Sequence, residues 1–363
     1  QLGLQEAAFH RPDVVLLDDA LQADLAALDA MCRGDYFVSS RDLADAKWIV
    51  ADSIDDGPTR YYVYDRATKT AAFLFSNKPV LDVYTLSPMQ PVRFTSRDEL
   101  TIHGYLSLPV GVPAEGLPAA LLVHGGPWGR DTWGYDAWAQ QLTNRGYAVL
   151  QVNYRGSAGY GKAFLNAGNR EWAGKMHDDL IDGVLWLIDQ GIADPARIAI
   201  VGGSYGGYAT LVGLTFTPEV FAAGVDIVGP SNLKTLLETM PPYWKPRLPI
   251  FEMRVGSLHD EDFLRARSPL YFVNRIQRPL LIGQGANDPR VKQSESEQIV
   301  AAMRRNGKPV TYALYADEGH GFARPENRLH FYALAEEFLA RHLGGRCEPL
   351  DDIPGHSATV NEW

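Results

Sequence analysis

Residues 197–208, Arg-Ile-Ala-Ile-Val-Gly-Gly-Ser-Tyr-Gly-Gly-Tyr, set the tightest constraint in this chain. An apolar strand runs directly into Gly-x-Ser-x-Gly, and a helical pattern follows. A serine raised on so abrupt a strand-to-helix turn has a strained backbone, and the flanking segments approach so closely that side chains at 202 and 206 would clash. The helix beginning after Ser204 points its first N–H groups at the turn, where they favour developing negative charge. Ala119–Val123, Tyr147–Val152, Arg197–Val201, Val225–Val228, Pro279–Ile282 and Val310–Tyr315 read as buried strands. Helical spacing marks Met176–Gln190, closed by Gly191, and Glu326–Leu343, closed by Gly344-Gly345. This alternation predicts a mostly parallel sheet with helices on both faces.

A serine hydroxyl becomes a nucleophile only beside a base that a carboxylate orients. On an α/β-hydrolase fold the partners follow in the order Ser, acid, His, each in the loop after a later strand. Leu280-Leu-Ile-Gly-Gln-Gly-Ala-Asn-Asp288 and Tyr312-Ala-Leu-Tyr-Ala-Asp-Glu-Gly-His320 satisfy that order, which nominates a Ser204–Asp288–His320 triad. Asp317 and Glu318 compete for the acid role but lie too near His320 in the chain. The loop His124-Gly-Gly-Pro127-Trp-Gly129 follows an earlier strand, and with the residue after the nucleophile it nominates the N–H groups of Gly126 and Tyr205 as an oxyanion hole. His124 itself, at a strand end, is read as a structural hydrogen-bonding residue. Aromatic residues crowd the same region: Tyr205, Tyr208, Trp128, Trp133, Tyr243 and Trp244. Pro241-Pro-Tyr-Trp-Lys-Pro246 is punctuated by prolines, so it is read as a pocket wall outside the sheet.

Other function classes find little support. A formal net charge of -10 leaves no basic stripe for nucleic acid. Gly156–Gly161 lacks the strand–helix setting and the lysine of a phosphate loop, and no dinucleotide fingerprint or Cys/His cluster occurs, so neither cofactor nor metal is expected. Cys32 and Cys347 allow one disulfide but no framework. No apolar run has the length to span a bilayer, no leader is visible, and no compartment follows.

Ahead of the alternating region, residues 12–31 show helical spacing of Val15, Leu16, Leu21, Leu25 and Leu28. Lys47–Asp52, Arg60–Asp65 and Thr70–Phe75 then read as a small antiparallel meander, whose exposed edges would want partners and make self-association plausible. The expected division is 1–85 for helix and meander, 86–346 for the hydrolase domain and 347–363 for a C-terminal tail.

The ordered set His124-Gly-Gly-Pro127, Asn153-Tyr-Arg-Gly-Ser157, Gly202-Gly-Ser-Tyr-Gly-Gly207, Asn287-Asp-Pro-Arg-Val291 and Glu318-Gly-His-Gly-Phe322 resembles the prolyl oligopeptidase family of serine peptidases, over about residues 88–346. The resemblance implies an α/β-hydrolase domain beneath a β-propeller, short peptides as substrates, and Val291, Tyr243 and Trp244 around the pocket for the residue before the scissile bond. By the same resemblance the meander corresponds to a last propeller blade, so the chain is expected to be the C-terminal part of a longer peptidase. Two rivals are a carboxylesterase acting on small acyl esters with the same triad, and a hydrolase-fold binding protein, which would have a damaged triad.

Overall fold

All seven residues of Leu117–Val123 are buried, as a strand sandwiched between two helical layers must be. The computed structural model describes residues 4–8, 12–16, 18–349 and 353–363. Its strands, in chain order, are β1 (Leu4–Ala8), β2 (Pro12–Leu16), β3 (Asp35–Arg41), β4 (Lys47–Ser53), β5 (Arg60–Asp65), β6 (Thr70–Ser76), β7 (Met89–Thr95), β8 (Thr101–Ser107), β9 (Leu117–Val123), β10 (Ala148–Asn153), β11 (Ala193–Gly203), β12 (Ala223–Ile227), β13 (Leu280–Gly285), β14 (Val310–Tyr315) and β15 (Ala358–Glu362). A nine-stranded sheet has the order β15-β14-β13-β12-β11-β9-β10-β8-β7. Its middle, from β10 to β14, is parallel, and antiparallel strands close both edges. This is the α/β-hydrolase arrangement expected from the strand–helix alternation.

The pleat sorts β9 between two cores. Ala119, Leu121 and Val123 pack with residues of the helices Lys175–Asp189, Tyr205–Phe216 and Gln293–Arg305. Ala120 and Leu122 face Ala137–Asn144 and Pro325–Leu343. Each fully buried Leu, Ile or Val contributes about 1.5–3 kcal/mol of transfer free energy, so this double burial fixes the strand register that later places the site.

A separate four-stranded antiparallel sheet, β3-β4-β5-β6, covers 35–76. Leu21 and Leu28 of the preceding helical segment pack on its Trp48, Val50 and Tyr64. Asp24 is buried at that contact, where Arg66, Lys69 and the Tyr64 hydroxyl meet its carboxylate. Phe73, Leu74 and Phe75 leave β6 with a largely exposed apolar edge. The Gln140 amide links the loop after β4 to the segment before β7: its Nε2 donates to Asp55 O at 3.1 Å and to Ser87 O at 2.7 Å.

Several elements differ from the sequence reading. Helical spacing over 12–31 overstates the helix, which spans Gln22–Met31. Pro12–Leu16 is instead a strand paired with β1, and Asp18 starts the helical segment by accepting the Ala20 N–H. The meander gains a strand, β3, which is largely exposed and whose apolar run, Tyr36-Phe37-Val38, is short. Within the segment read as a tail, Ala358–Glu362 adds β15 to the free edge of β14. Cys32 and Cys347 are free thiols. No helix among the described residues is long and apolar enough to cross a membrane.

The loop after β10 is anchored by a buried ion pair. Arg155 donates from Nε and Nη2 to Asp179 at 2.8 and 2.7 Å, and its backbone N–H reaches the same carboxylate at 2.8 Å. Asp179 is fully buried. Removing it leaves the guanidinium with Asp98 alone, so Asp179→Ala is expected to cost about 3–5 kcal/mol of stability, read from urea unfolding. A loss under about 1 kcal/mol would show that the pair does not anchor the loop.

Candidate active site

β11 delivers Ser204 at the carboxyl end of the sheet with φ 58° and ψ −115°, and the helix Tyr205–Phe216 starts at the next residue. A non-glycine residue in such a conformation persists only when its surroundings over-determine it. The Ser204 N–H donates to Ile227 O at 2.8 Å, and its carbonyl accepts the Tyr208 N–H at 3.0 Å. A Cβ at Gly202 would lie 2.6 Å from the Gly206 carbonyl carbon, and one at Gly206 would strike the Val123 carbonyl. Both glycines are therefore required by close backbone approach.

The three residues nominated from the sequence meet here. His320 Nε2 lies 3.0 Å from Ser204 Oγ, and His320 Nδ1 lies 2.6 Å from Asp288 Oδ2. The Asp288 side chain is fully buried. Its second oxygen accepts the N–H groups of Arg290 and Val291 at 2.7 and 3.0 Å, so one oxygen faces the imidazole and the other is held by backbone. Partners on both oxygens fix the direction of the carboxylate.

Asp317 and Glu318 serve the loop rather than the imidazole. Glu318 is buried and accepts the N–H groups of Ala323 and Arg324 at 2.9 and 2.8 Å, with Asn327 Nδ2 at 2.8 Å. Its carbonyl accepts the Asn287 N–H at 2.8 Å, tying the His320 loop to the Asp288 loop. Asp317 pairs with Arg324, Asn327 and Ser357.

The loop after β9 presses on the nucleophile turn. A Cβ at Gly125 would lie 3.0 Å from Gly203 O and 3.5 Å from Ser204 Cβ. Gly126, the next residue, makes no hydrogen bond through its N–H among the described residues. Tyr205 opens its helix, where the first N–H groups lack an intrahelical acceptor. These are the two donors expected of an oxyanion hole. His124 lies behind them: its Nε2 is 2.9 Å from Ser157 Oγ, and its ring stacks on Tyr154 at 4.4 Å. Burial pushes this imidazole down to about 4, so it is neutral near pH 7, consistent with a structural residue.

The aromatic wall is larger than the sequence indicated. Trp244 packs on Phe251 with centroids 5.6 Å apart, and Phe251 meets Trp128 edge-on at 5.2 Å. The Arg290 guanidinium lies over Trp244 at 5.9 Å, which brings the wall beside the Asp288 loop. Val291 is buried, whereas Tyr243 is 58% exposed and meets Trp244 edge-on at 6.1 Å. Phe251 sits in a short helix, Leu248–Arg254, beyond the proline-punctuated loop, and no periodic signal tied it to the site. Among the described residues no group of three or more His, Cys, Asp or Glu could hold a metal ion.

Glu318→Ala is expected to destabilise the protein by about 1–3 kcal/mol for each N–H left unsatisfied, and to lower kcat more than it changes KM. Unfolding midpoints and steady-state kinetics check both. An unchanged kcat would mean that the loop holds His320 without Glu318.

Comparison with known proteins identifies the family. A model of the prolyl oligopeptidase family matches residues 133–346. Dipeptidyl aminopeptidase BIII of Pseudoxanthomonas mexicana is 54% identical over 97% of this chain and 53% of its own length. Dipeptidyl peptidase family member 6 of Caenorhabditis elegans is 44% identical over 97% of this chain and 51% of its own. The acylaminoacyl peptidase of Pyrococcus horikoshii superposes with a TM-score of 0.76 at 26% identity, covering 88% of this chain and 52% of that one. The chain thus spans about half the length of the curated relatives it matches. With a family model over more than half of its residues and close relatives along nearly its whole length, the chain belongs to the prolyl oligopeptidase family.

Proposed function

We propose that this chain carries the catalytic machinery of a serine peptidase that cleaves short peptides through an acyl-enzyme on Ser204. The observation that carries the reading is the continuous relay from Ser204 Oγ to His320 Nε2 at 3.0 Å and from His320 Nδ1 to Asp288 Oδ2 at 2.6 Å. As Oγ attacks the scissile carbonyl, His320 takes its proton, and Asp288 stabilises the imidazolium that forms. The carbonyl oxygen gains negative charge, and the Tyr205 and Gly126 N–H groups receive it. Removing one such donor typically costs about 10²–10³ in turnover. His320 then protonates the leaving amine, and water, deprotonated by the same imidazole, releases the acyl group.

The aromatic wall of Trp128, Trp244 and Phe251 supports an apolar or aromatic side chain before the scissile bond, with Val291 and Tyr243 as the other pocket members. The names of the relatives, dipeptidyl aminopeptidase and acylaminoacyl peptidase, favour peptides over simple esters as the natural class. Esters remain within reach of the same machinery, because an alkoxide leaves more readily than an amine. Self-association along the apolar β6 edge belongs to the same proposal.

Matched peptide-amide and ester substrates sharing one acyl group test the reading. Wild type is expected to cleave both, and Ser204→Ala neither. Asp288→Asn should lose about 10⁴ in kcat, because the amide holds the imidazole in the wrong tautomer. Ester cleavage alone by wild type would instead favour a carboxylesterase, and hydrolysis by Ser204→Ala would remove Ser204 from the role.

A further inference from the structure

Asp288 is explained by His320, but a second buried carboxyl group behind the nucleophile is not. Asp226, on β12, has no exposed surface. Its Oδ1 accepts the Gly229 N–H at 2.8 Å, while Oδ2 has no hydrogen-bond partner among the described residues. No charged side chain among the described residues offsets its burial, which pushes the carboxyl up to about 7. A carboxylate with no cation is costly in such a place, so the group takes up its proton in slightly acidic solution.

Its position gives that cost a purpose. β12 ends at Asp226-Ile227 and bends through Val228-Gly229, and Val228 has φ 50°, a strained conformation for a β-branched residue. The bend is closed on one side by Val228 N–H to Gly283 O at 2.9 Å and on the other by the Asp226–Gly229 bond. Inside it, Ile227 O accepts the Ser204 N–H at 2.8 Å. Ser204 itself has φ 58°, so two strained residues on neighbouring strands are coupled through a single carbonyl. The carboxyl also fills the space beneath the first turn of the nucleophile helix. A Cβ on Gly207 would strike Asp226 Oδ1 and come within 2.8 Å of the Gly229 Cα.

We propose that Asp226 is a positioning residue for the nucleophile: its carboxyl group locks the bend at 227–229 and, through the Ile227 carbonyl, fixes the backbone of Ser204 and the N–H of Tyr205. The proposal rests on Ser204 being the nucleophile. Asparagine would offer Gly229 the same acceptor without charge. Alanine would free that N–H and leave a gap under Gly207.

Labelling rates with a fluorophosphonate, together with kcat and KM on a peptide amide, test the idea in wild type, Asp226→Asn, Asp226→Ala and Ser204→Ala. Asp226→Ala is expected to lose about 10- to 100-fold in kcat and in labelling rate, the penalty of a misplaced nucleophile, with KM within about twofold of wild type. Asp226→Asn should recover both rates to within about threefold. Wild-type rates in Asp226→Ala would overturn the proposal, and so would equal damage in the Asn and Ala variants. If Asp226→Ala does not fold, Asp226→Leu, which fills the space under Gly207 without an acceptor for the Gly229 N–H, decides. A loss of about 10-fold or more in both rates is expected, and rates within about threefold of wild type overturn the proposal. Hydrolysis or labelling that persists in Ser204→Ala would fail the nucleophile reading itself, a separate and recognisable result.

Discussion

The strained backbone of Ser204 is the constraint around which the catalytic end of the molecule is organised. At φ 58° and ψ −115°, its conformation costs about 1–3 kcal/mol, and nothing local to a Gly-Ser-Tyr sequence would maintain it. The turn is therefore held from three sides. β12 supplies the Ile227 carbonyl, the helix supplies the Tyr208 N–H, and the β9 strand end and loop press on the turn, with Gly125 against the Gly203 carbonyl and no room for a Cβ at Gly206. Each support depends on strand register, and the register depends on burying alternate faces of β9 and β11 in two separate cores. The core thus determines where Oγ points.

The outer supports follow the same logic. Arg155 and Asp179 anchor the loop whose Ser157 and Tyr154 hold His124 behind the oxyanion loop. Glu318 gathers the N–H groups at the start of the last helix, and its own carbonyl holds Asn287, so the loops carrying His320 and Asp288 are tied together. The Arg155–Asp179 pair and the bonds to the Glu318 carboxylate are charge-assisted, the class that is costly to break and that keeps geometry tight. A relay at 3.0 and 2.6 Å needs that tightness, because proton transfer is sensitive to small displacements.

Much of the site was legible in the sequence, because its signals are local. Ser204, Asp288 and His320 each follow a buried apolar strand, and the positions of Gly202 and Gly206 report close backbone approach directly. What was not legible depends on distant partners. Ala358–Glu362 becomes a strand because β14 offers a free edge, not because its own pattern alternates. Pro12–Leu16 has apolar residues at helical spacing, yet it pairs with Leu4–Ala8. Phe251 reaches Trp128 from more than a hundred residues away, and Asp226 looks like an ordinary strand residue until its Gly229 and Gly207 neighbours are in place. Spacing records periodicity and punctuation, while packing partners emerge only once the chain has folded.

The most direct test of this account is where a fluorophosphonate attaches. Mass spectrometry of the labelled, folded protein should find one stoichiometric adduct, on the peptide containing Ser204, and His320→Ala should abolish it without unfolding the chain. An adduct on another serine, or a folded wild-type protein that does not label, would contradict the claim that the Ser204–His320–Asp288 relay is the reactive centre.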